Sequence, residues 1–382
     1  MGHKSRISIS ETVKRLLCVN AGGRCEYEGC NRLLTVDRLT QKVQDSGMIA
    51  HIIAASDFGP RGRSPLSMEE RSHIDNLMLL CYECHRRIDQ EGLGQNPTER
   101  LLAMKAAHEK RIRMVTSITQ VFSTNLLIFS SPIQKKVRRI SVEDAKDAVL
   151  SSARYPEEDF FEIKGDELAC DEDDPVFMQR VDSLTRDKLG PLLRESKTVT
   201  GKIVTSLSVF ALGTIPALLN LGYHIGDIIN VDIYQKKRND KWNWNIETSE
   251  LFVEDFFKIK SPDSYQDELV VNISLSGKIS DEAIKNALGK EVPQYLITIE
   301  NPSFYFLKTK TQFEQFERIW NLFLTETRKQ EIDKIHLFCA IPSAIAVLIG
   351  KTIHRKLDPE IFIYDLDSSG NQYMLKWKIN AK

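Results

Sequence analysis

Two closely spaced pairs of cysteines constrain this chain more than any other feature. Cys25 and Cys30 form the first pair, and Cys81 and Cys84 form the second pair much later in the chain. Four thiolates in two such pairs are the ligand set of a tetrahedral structural Zn²⁺, and the long interval between the pairs leaves room for a folded insert. The alternative is that buried cysteines stand at these spacings by chance. We expect a zinc site that supplies folding energy to a unit with little apolar core.

The other three of the seven cysteines, Cys18, Cys170 and Cys339, are scattered without pairing logic. An odd number of cysteines, four of which have a metal to bind, indicates a reducing cytoplasm and not a disulfide framework. The first residues lack the apolar run of a signal peptide, and the longest apolar stretch, 336–350, is too short for a bilayer. We therefore expect a cytoplasmic protein without a membrane partner.

The length of 382 residues predicts two or three domains. Lys and Arg outnumber Asp and Glu over residues 1–120, whereas acidic residues are in excess in the remainder. This split suits a head that binds a polyanion on a mildly acidic body, although the charge alone does not identify nucleic acid.

The patterning places the domain bounds at 1–120, 121–140 and 141–382. Ser10 is a suitable N-cap for a helix from Glu11, and Ser141 caps another helix after a stretch with Pro132. Residues 121–140 are therefore predicted to be a linker. Its basic run 135–139 is interpreted as a solvated linker, with a nucleic-acid contact as the alternative.

The second part carries an approximate internal repeat. An apolar strand over 203–212 is followed by a helix that Pro216 opens and by a strand over 229–234. Residues 335–364 repeat this order, with Pro342 opening the helix. Nearly continuous apolar strands are typical of a mainly parallel sheet with helices on both faces. We expect two Rossmann-like α/β halves.

Three residues between and beside the cysteines suit phosphodiester cleavage, which needs a general base, a cation and a group that fixes the base. His51, on a predicted strand, is the candidate base, with a structural histidine as the alternative. Asn76 would hold the loop and the imidazole orientation, or else be a helix cap or turn residue. His85, one residue beyond Cys84, would bind a catalytic Mg²⁺ or Mn²⁺.

This order of residues resembles the HNH, or ββα-metal, nuclease family over about residues 20–95. The resemblance implies a zinc-stapled α+β nuclease domain that cuts double-stranded DNA. Many members place an acidic metal ligand just before the base histidine, whereas this chain has Ala50. Asp75 is the first candidate for the second ligand, with His73 and Asp89 as alternatives, and phosphate and water would complete the shell.

Four arginines are the positive groups most suited to contact DNA phosphates, with a solvated surface as the alternative for each. They are Arg61, Arg63, Arg86 and Arg87. Nothing suggests base reading in a groove, so we expect backbone-driven binding with little sequence preference.

Residues from about 140 to 382 resemble the SAVED domain, a pair of fused CARF-like Rossmann units that binds cyclic oligonucleotides. The matching segments are 206–211, 215–222, 242–244, 273–278 and 336–350. With an HNH head in front, the chain is similar to the HNH-SAVED effectors of bacterial cyclic-oligonucleotide-based anti-phage signalling (CBASS). The activator that this implies is a cyclic di- or trinucleotide.

Ligands of Rossmann-like units lie beyond the carboxyl ends of the strands, where helix N-termini meet phosphate. Three segments that end strands in this way, 211–216, 274–278 and 340–344, are therefore candidate phosphate sites, with a plain turn as the alternative for the second. Two tryptophans on a presumed strand would stack on a base, or else lie in the core. The candidates are Ser276, Gly277, Lys278, Pro342, Ser343, Trp242 and Trp244.

The resulting hypothesis is a DNA endonuclease that a cyclic oligonucleotide activates by driving assembly of its heads. The family resemblance implies ligand-induced oligomers, with a tetramer as the expected state. One alternative is a modification-dependent restriction endonuclease without a messenger. Another is a non-catalytic, zinc-stabilised DNA-binding module with a metabolite sensor.

Overall fold

The structure is a computed structural model that describes residues 9–37, 40–90, 94–118, 122–195, 203–227, 229–237, 241–242, 244, 256–367 and 369–380. The chain divides into two compact units, Met1–Thr119 and Gln120–Lys382. Among the described residues, no helix is both long enough and apolar enough to cross a membrane.

The described part of the first unit combines a two-stranded antiparallel sheet with helices. Its elements are α1 (Glu11–Asn20), β1 (Met48–His51), α2 (Met68–Arg71), a 3₁₀ turn (Ile74–Asn76), β2 (Leu77–Leu80), α3 (Tyr82–Gln90) and α4 (Thr98–Thr116). The predicted start of α1 is confirmed, since the Ser10 hydroxyl accepts a hydrogen bond from the Val13 N–H at 3.3 Å. The segment between β1 and the 3₁₀ turn contains α2, which begins with a capping box of Ser67 and Glu70.

The core of the first unit forms around β2, all four residues of which are buried. Leu17 of α1, Ile88 of α3 and Leu101 of α4 pack into the same cluster. The cluster is small for a unit of this length and includes three of the paired cysteines, as expected of a unit that needs a metal to hold its fold.

The second unit begins with a parallel four-stranded sheet of order β6-β3-β7-β8. Its elements are β3 (Ser123–Ser130), β4 (Pro132–Ile133), β5 (Lys136–Val137), α5 (Val142–Ser151), β6 (Tyr155–Ile163), a 3₁₀ turn (Gly165–Leu168), α6 (Phe177–Glu195), β7 (Ser206–Leu212), α7 (Ile215–Ile225) and β8 (Asn230–Tyr234). Ser141 caps α5 as predicted, with its hydroxyl accepting from the Asp144 N–H.

The prediction of a linker over 121–140 is wrong. β3 lies between β6 and β7 in the sheet, and seven of its eight residues are buried. A nearly unbroken apolar run is what an inner strand of a parallel sheet requires. The basic run that follows forms a short hairpin with Pro132–Ile133, so the α/β body begins well before Ser141.

A six-stranded sheet of order β14-β13-β12-β10-β11-β9 completes the unit. Its inner strands run parallel, and the two edge strands run antiparallel to them. The elements are β9 (Phe257–Lys260), β10 (Glu268–Ser274), α8 (Asp281–Leu288), β11 (Gln294–Ile299), α9 (Lys310–Lys329), β12 (Lys334–Ala340), α10 (Ser343–Thr352), β13 (Glu360–Leu366) and β14 (Tyr373–Ile379). The predicted repeat is confirmed, because β7-α7-β8 and β12-α10-β13 have the same order and parallel pairing.

The two repeats meet where α7 crosses α10. A Cβ atom placed on Gly222 would lie 2.0 Å from the Val347 carbonyl oxygen, and one placed on Gly350 would lie 2.0 Å from the Leu219 carbonyl oxygen. The contacts are reciprocal, since each glycine occupies the same position in its helix and approaches the same position of the other. The crossing is therefore a pseudo-two-fold interface within one chain, and only glycine allows the backbones to come so close.

Candidate functional site

The four predicted zinc ligands lie together. The Sγ atoms of Cys25, Cys30, Cys81 and Cys84 are all within 4.8 Å of one another, and Cys30 Sγ is 3.9 Å from Cys81 Sγ. A tetrahedral ion with Zn–S bonds of about 2.3 Å requires sulfur–sulfur distances of about 3.8 Å. Cys25, Cys81 and Cys84 are buried and Cys30 is partly buried. The donor set therefore fits a structural zinc ion.

The electrostatics of the cluster also call for a cation. Burial raises the pKa of the Cys25 thiol to about 12, and burial raises that of Cys84 as well. Such thiols stay protonated near neutral pH unless a metal stabilises the thiolates. Outside the cluster, the Arg32 guanidinium binds the Glu83 carboxylate at 2.7 Å. This ion pair joins the segment of the first cysteine pair to α3, the helix that carries Cys84.

The antiparallel sheet and α3 determine where the predicted catalytic residues stand. His51 is the last residue of β1 and lies opposite Leu77, so Asn76 stands at the same end of the sheet. α3 follows β2 directly and packs against β1. His85, which is partly exposed, lies in its second turn.

The Asn76 side chain fixes the segment that follows His51. Its Oδ1 accepts the Ile53 N–H at 2.8 Å, and its Nδ2 donates to the carbonyls of Ile53 and Arg71, both at 2.9 Å. The Asn76 carbonyl accepts the Ile52 N–H at 2.8 Å. Asn76 thus holds the loop beside His51, while its part in catalysis stays a prediction.

His85 lies beside a carboxylate of its own helix. Its Nδ1 is 3.3 Å from Asp89 Oδ2, which leaves Nε2 as the ring nitrogen for a metal. Asp89, an alternative for the second metal ligand, is therefore placed to orient His85. Asp75 is 84% exposed at its side chain and lies 3.1 Å from the ring of His73, and its role as a ligand stays a prediction.

The described residues hold no second group of metal-binding side chains besides the cysteine cluster. In the part of the chain that the structure describes, the four cysteines are the single group of three or more His, Cys, Asp or Glu donors close enough to hold an ion. A catalytic divalent cation at His85 would thus depend on substrate phosphate and water for most of its shell.

The prediction that Arg61 contacts DNA phosphates is wrong. Arg61 is 9% exposed, and its Nε donates to the Ile52 carbonyl at 2.5 Å while Nη1 donates to the Ile88 carbonyl at 2.8 Å. Its Nη2 lies 3.7 Å from Asp89 Oδ1, and burial lowers the pKa of the guanidinium. Arg61 therefore ties the end of β1 to the end of α3 and has no exposed face for a phosphate.

The other three arginines predicted to contact DNA are exposed. The Arg86 guanidinium lies over the ring of Tyr82 and also binds Gln90, and the Arg87 guanidinium lies over the ring of Tyr27. Arg63, in the loop after His51, is exposed as well. Their exposure makes them candidates for contacts with a polyanion, because a guanidinium that stacks on a ring can still donate hydrogen bonds.

Arg71 is a residue whose importance the sequence analysis missed. It is buried and donates to four carbonyls, those of Ala54, Gly62, Ser64 and Leu66, and to Asp57 Oδ1 at 2.7 Å. A long loop rich in Gly, Pro and Ser has few backbone partners of its own, so its carbonyls need side-chain donors. An arginine at the end of such a loop is the signal that would have indicated this role.

The two tryptophans do not form a base-stacking pair. Trp242 is 3% exposed and packs edge-on against Phe210, with ring centroids 5.2 Å apart. Trp244 packs against a different core cluster, near Phe313. Neither lies in a strand, and the prediction that both face one ligand is wrong because each fills a separate part of the core.

The predicted phosphate loops lie at the carboxyl edge of the six-stranded sheet, as expected, but their N–H groups are partly used. The Ser276 N–H donates to the Ala340 carbonyl at 2.7 Å, which supports the plain-turn interpretation at that residue. Gly277 has open space beside it and Lys278 is exposed. In the first turn of α10, after Pro342 and Ser343, the Ala344 N–H donates to Gln235 Oε1 at 3.0 Å.

A cavity of about 760 Å³ opens at the carboxyl ends of strands from both sheets. Thr214 and Pro216 at the start of α7 line it, as do Lys135, Glu172 and the β13–β14 turn. The buried atoms Glu172 Oε2 and Thr214 Oγ1 have no hydrogen-bond partner within the described residues. This volume suits a small ligand, and unpaired polar atoms are where such a ligand gains hydrogen bonds.

Of the predicted phosphate segments, 211–216 reaches this cavity through Thr214 and Pro216, whereas the candidates at 276–278 and 342–343 and the two tryptophans do not line it. The other walls come from separate segments that only the fold brings together. Carboxylates dominate the lining, and burial raises the pKa of one of them, Asp365, to about 6.

Together these features define a protein with a cysteine-clamped α+β unit and a double α/β unit that carries a ligand-sized cavity. The chain belongs to the SAVED family. The model of that family, described as the SMODS-associated and fused to various effectors sensor domain, matches residues 185–379. The match does not reach the first unit, whose assignment therefore depends on its own residues.

Solved structures of receptors that contain SAVED/CARF domains are similar to the chain. The Cap4 receptor of Acinetobacter baumannii with the cyclic trinucleotide 2'3'3'-cAAA shares 12% identity, with a TM-score of 0.41 over 78% of this chain and 62% of that chain. The Cap4 receptor of Moraxella osloensis shares 13% identity, with a TM-score of 0.37 over 83% of this chain and 70% of that chain. A comparison with curated proteins gave no match.

Proposed function

We propose that the chain is a defence effector in which a cyclic oligonucleotide, bound by the second unit, activates DNA cleavage by the first. One observation carries the nuclease part. A continuous set of contacts joins the two histidines, since Arg61 binds the carbonyl next to His51 and also Asp89, which orients His85. A purely structural zinc module has no need of such a connection between two partly exposed imidazoles.

The chemistry follows from these positions. His51 would accept the proton of the attacking water, and Asn76 would keep its loop in place during the reaction. His85 would hold a divalent cation, which supplies Lewis-acid stabilisation to the phosphate. Exposed Arg63, Arg86 and Arg87 would bind backbone phosphates, so binding would be salt-dependent and largely independent of sequence.

The sensor part follows from family membership and from the cavity. A cavity of about 760 Å³ at the start of α7 offers a helix N-terminus, Lys135 and Lys376 to phosphates and unpaired oxygens to N–H donors of a base, against the repulsion of the carboxylates in its lining. The messenger would activate the protein by favouring an oligomer in which the first units cut both strands. It can do so only if it binds that assembly more tightly than it binds the free chain.

A plasmid assay tests the proposal against its rivals. The purified chain is incubated with Mg²⁺ or Mn²⁺ and supercoiled DNA, with and without a panel of cyclic dinucleotides and the cyclic trinucleotides 2'3'3'-cAAA and 3'3'3'-cAAA. We expect degradation only with one member of the panel. Cleavage of modified DNA alone, without any messenger, would indicate a restriction endonuclease, and DNA binding without cleavage would indicate a non-catalytic module.

The His51→Ala variant separates catalysis from assembly. We expect cleavage to fall by about 10²- to 10⁴-fold, because general-base catalysis contributes that much. Messenger-induced assembly, measured by analytical ultracentrifugation, should be unchanged. If the variant also fails to assemble or loses its zinc, His51 is a structural residue and the assignment of the base is wrong.

A further inference from the structure

A fully exposed aromatic ring stands in the loop that follows His51. Phe58 is 101% exposed, and the residues around it that face solvent are polar or proline, namely Ser56, Asp57, Pro60, Arg63 and Pro65. Burying a phenylalanine side chain is worth about 1.5–3 kcal/mol. A partner that buries the exposed ring would therefore gain binding free energy of this size.

The loop that presents Phe58 is internally braced. The Ala54 N–H donates to the Pro60 carbonyl at 3.2 Å and the Gly59 N–H donates to the Ser56 carbonyl at 3.1 Å, so the backbone on either side of Phe58 is hydrogen-bonded to itself. A Cβ atom on Gly62 would lie 2.3 Å from the Ser56 carbonyl oxygen, which shows how closely the backbone packs.

The two buried arginines anchor this loop to the rest of the unit. Arg71 donates to Ala54, Asp57, Gly62 and other loop oxygens, and Arg61 links Ile52 to α3. The backbone that carries the ring is thus held in position before any partner arrives, so little backbone entropy is lost when the ring is buried.

The position of Phe58 relative to His51 suggests the partner. Phe58 follows His51 by seven positions, so the two residues lie within about 25 Å of each other even if the chain between them were extended. That span is about seven base-pair steps along a duplex. Arg63, exposed in the same loop, supplies a positive charge beside the ring.

We propose that Phe58 is a wedge that inserts at a base step of double-stranded DNA close to the phosphate that the first unit cuts. Apolar side chains that enter the minor groove unstack one base step and kink the duplex, independently of sequence. Such a kink would bring the adjacent phosphate out toward His51 and His85. This inference rests on the proposed nuclease function.

The size of the apolar surface favours DNA over a second copy of the chain. A stable protein interface buries about 800 Å² per partner, whereas Phe58 stands alone among polar neighbours and offers about 200 Å² at most. A single ring is enough for one base step, where an aromatic stack is worth about 1–3 kcal/mol.

The experiment uses the full-length His51→Ala chain, so that the DNA stays intact, with each member of the messenger panel and without any. The probe is a short duplex carrying 2-aminopurine, whose fluorescence rises when it loses its stacking neighbours. Phe58→Ala should raise the Kd for the duplex about 5- to 150-fold and abolish the fluorescence rise. Phe58→Trp should retain both, because it keeps an aromatic wedge.

Two matched variants identify the source of any change. Val43→Ala alters another fully exposed apolar residue of the first unit, 91% exposed, and should leave binding unchanged. Arg63→Ala should lower the dependence of log K on log salt by about one, whereas Phe58→Ala should leave that slope unaltered, since the ring releases no counterions.

The outcomes are distinguishable. If the unaltered chain cuts DNA but Phe58→Ala binds and unstacks the duplex as well as the parent, the wedge is disproved and the nuclease proposal stands. If Phe58→Ala instead changes the sedimentation of the protein without DNA, the ring contacts a second copy and the inference is overturned. If the unaltered chain neither binds nor cuts DNA with any member of the panel, the proposed function itself fails.

Discussion

At the scale of single residues, the cavity of the second unit places a carboxylate where charge is unfavourable. Asp365 ends the buried part of β13 and lines the cavity, and burial raises its pKa from 3.8 to about 6. A raised pKa means that the folded protein binds a proton that the unfolded chain releases. Asp365 therefore contributes most to stability below about pH 4, and this contribution is lost as the pH rises through about 6.

An Asp365→Asn substitution makes this dependence measurable. We expect the variant to gain unfolding free energy relative to the parent as the pH rises from 4 to 7, by about 1–3 kcal/mol at the upper end. All four tryptophans lie in the second unit, so their fluorescence during urea unfolding reports on this unit alone. Asp367→Asn is the control, since hydrogen bonds with Ser369 lower the pKa of Asp367, and its difference from the parent should therefore hardly change between pH 4 and 7. A difference independent of pH would contradict the assignment.

The sequence alone does not predict the role of a residue whose side chain suits two different partners. The four cysteines that lie together were predicted from their spacing, because metal binding demands particular side chains, whereas the catalytic roles of His51, Asn76 and His85 stay predictions. Arg61 was misassigned, since a guanidinium in a loop is equally suited to a phosphate and to three backbone carbonyls. Only the fold shows that the Ile52 and Ile88 carbonyls converge on it.

At the scale of elements, the crossing of α7 and α10 depends on two glycines, because any side chain at either position would overlap the other helix. Both helices are almost entirely buried, so the second unit cannot relax there by moving a loop. The Trp320 Nε1 donates to Thr352 Oγ1 at 2.8 Å and so places a fluorescent reporter at the end of α10.

We expect Gly222→Ala to destabilise the second unit by about 3 kcal/mol or more, because the new methyl group would overlap a backbone carbonyl that no rotamer change can move. Urea unfolding followed by tryptophan fluorescence measures the loss. Gly277→Ala provides the comparison, since its Cβ would come no closer than 4.0 Å to Ala340 and stability should hardly change. Equal stabilities for the two variants would show that the helices can separate at little cost.

Most elements could be predicted from the sequence, because capping residues indicate helices and apolar runs indicate buried strands. β3 was missed since Pro132 and the basic run 135–139 follow it and resemble a linker. Its neighbours in the sheet, β6 and β7, come later in the chain, and strand pairing over such a distance leaves no local signal.

At the scale of the whole molecule, the two units draw stability from different sources. The first has a small core that includes cysteines of the four-thiol cluster, whereas the second has a large continuous core of its own. The cavity belongs to the same scale, because its walls are assembled from the β4–β5 hairpin, α6, the start of α7, the β13–β14 turn and β14, which lie far apart in the sequence.

Cys81→Ser should therefore unfold the first unit and leave the second folded. Metal analysis should show one zinc ion per chain for the parent and none for the variant, since a structural zinc site contributes about 10–16 kcal/mol to folding. Limited proteolysis should then degrade residues before about 120, while tryptophan fluorescence stays unchanged. Cys18→Ser, outside the cluster, should keep the metal. Retention of zinc by Cys81→Ser would refute the four-thiolate site.

The reciprocal glycine contact has a consequence for what the sensor can distinguish. A dimer of identical subunits must present two identical half-sites, and it favours a symmetrical messenger. Here both halves belong to one polypeptide, so each can mutate separately while the crossing keeps them in register. Ser131 meets the Thr214 N–H in one half, whereas Gln235 meets the Ala344 N–H in the other. Such a divided receptor is free to read a ring built from unlike nucleotides and to tell one orientation of it from the other.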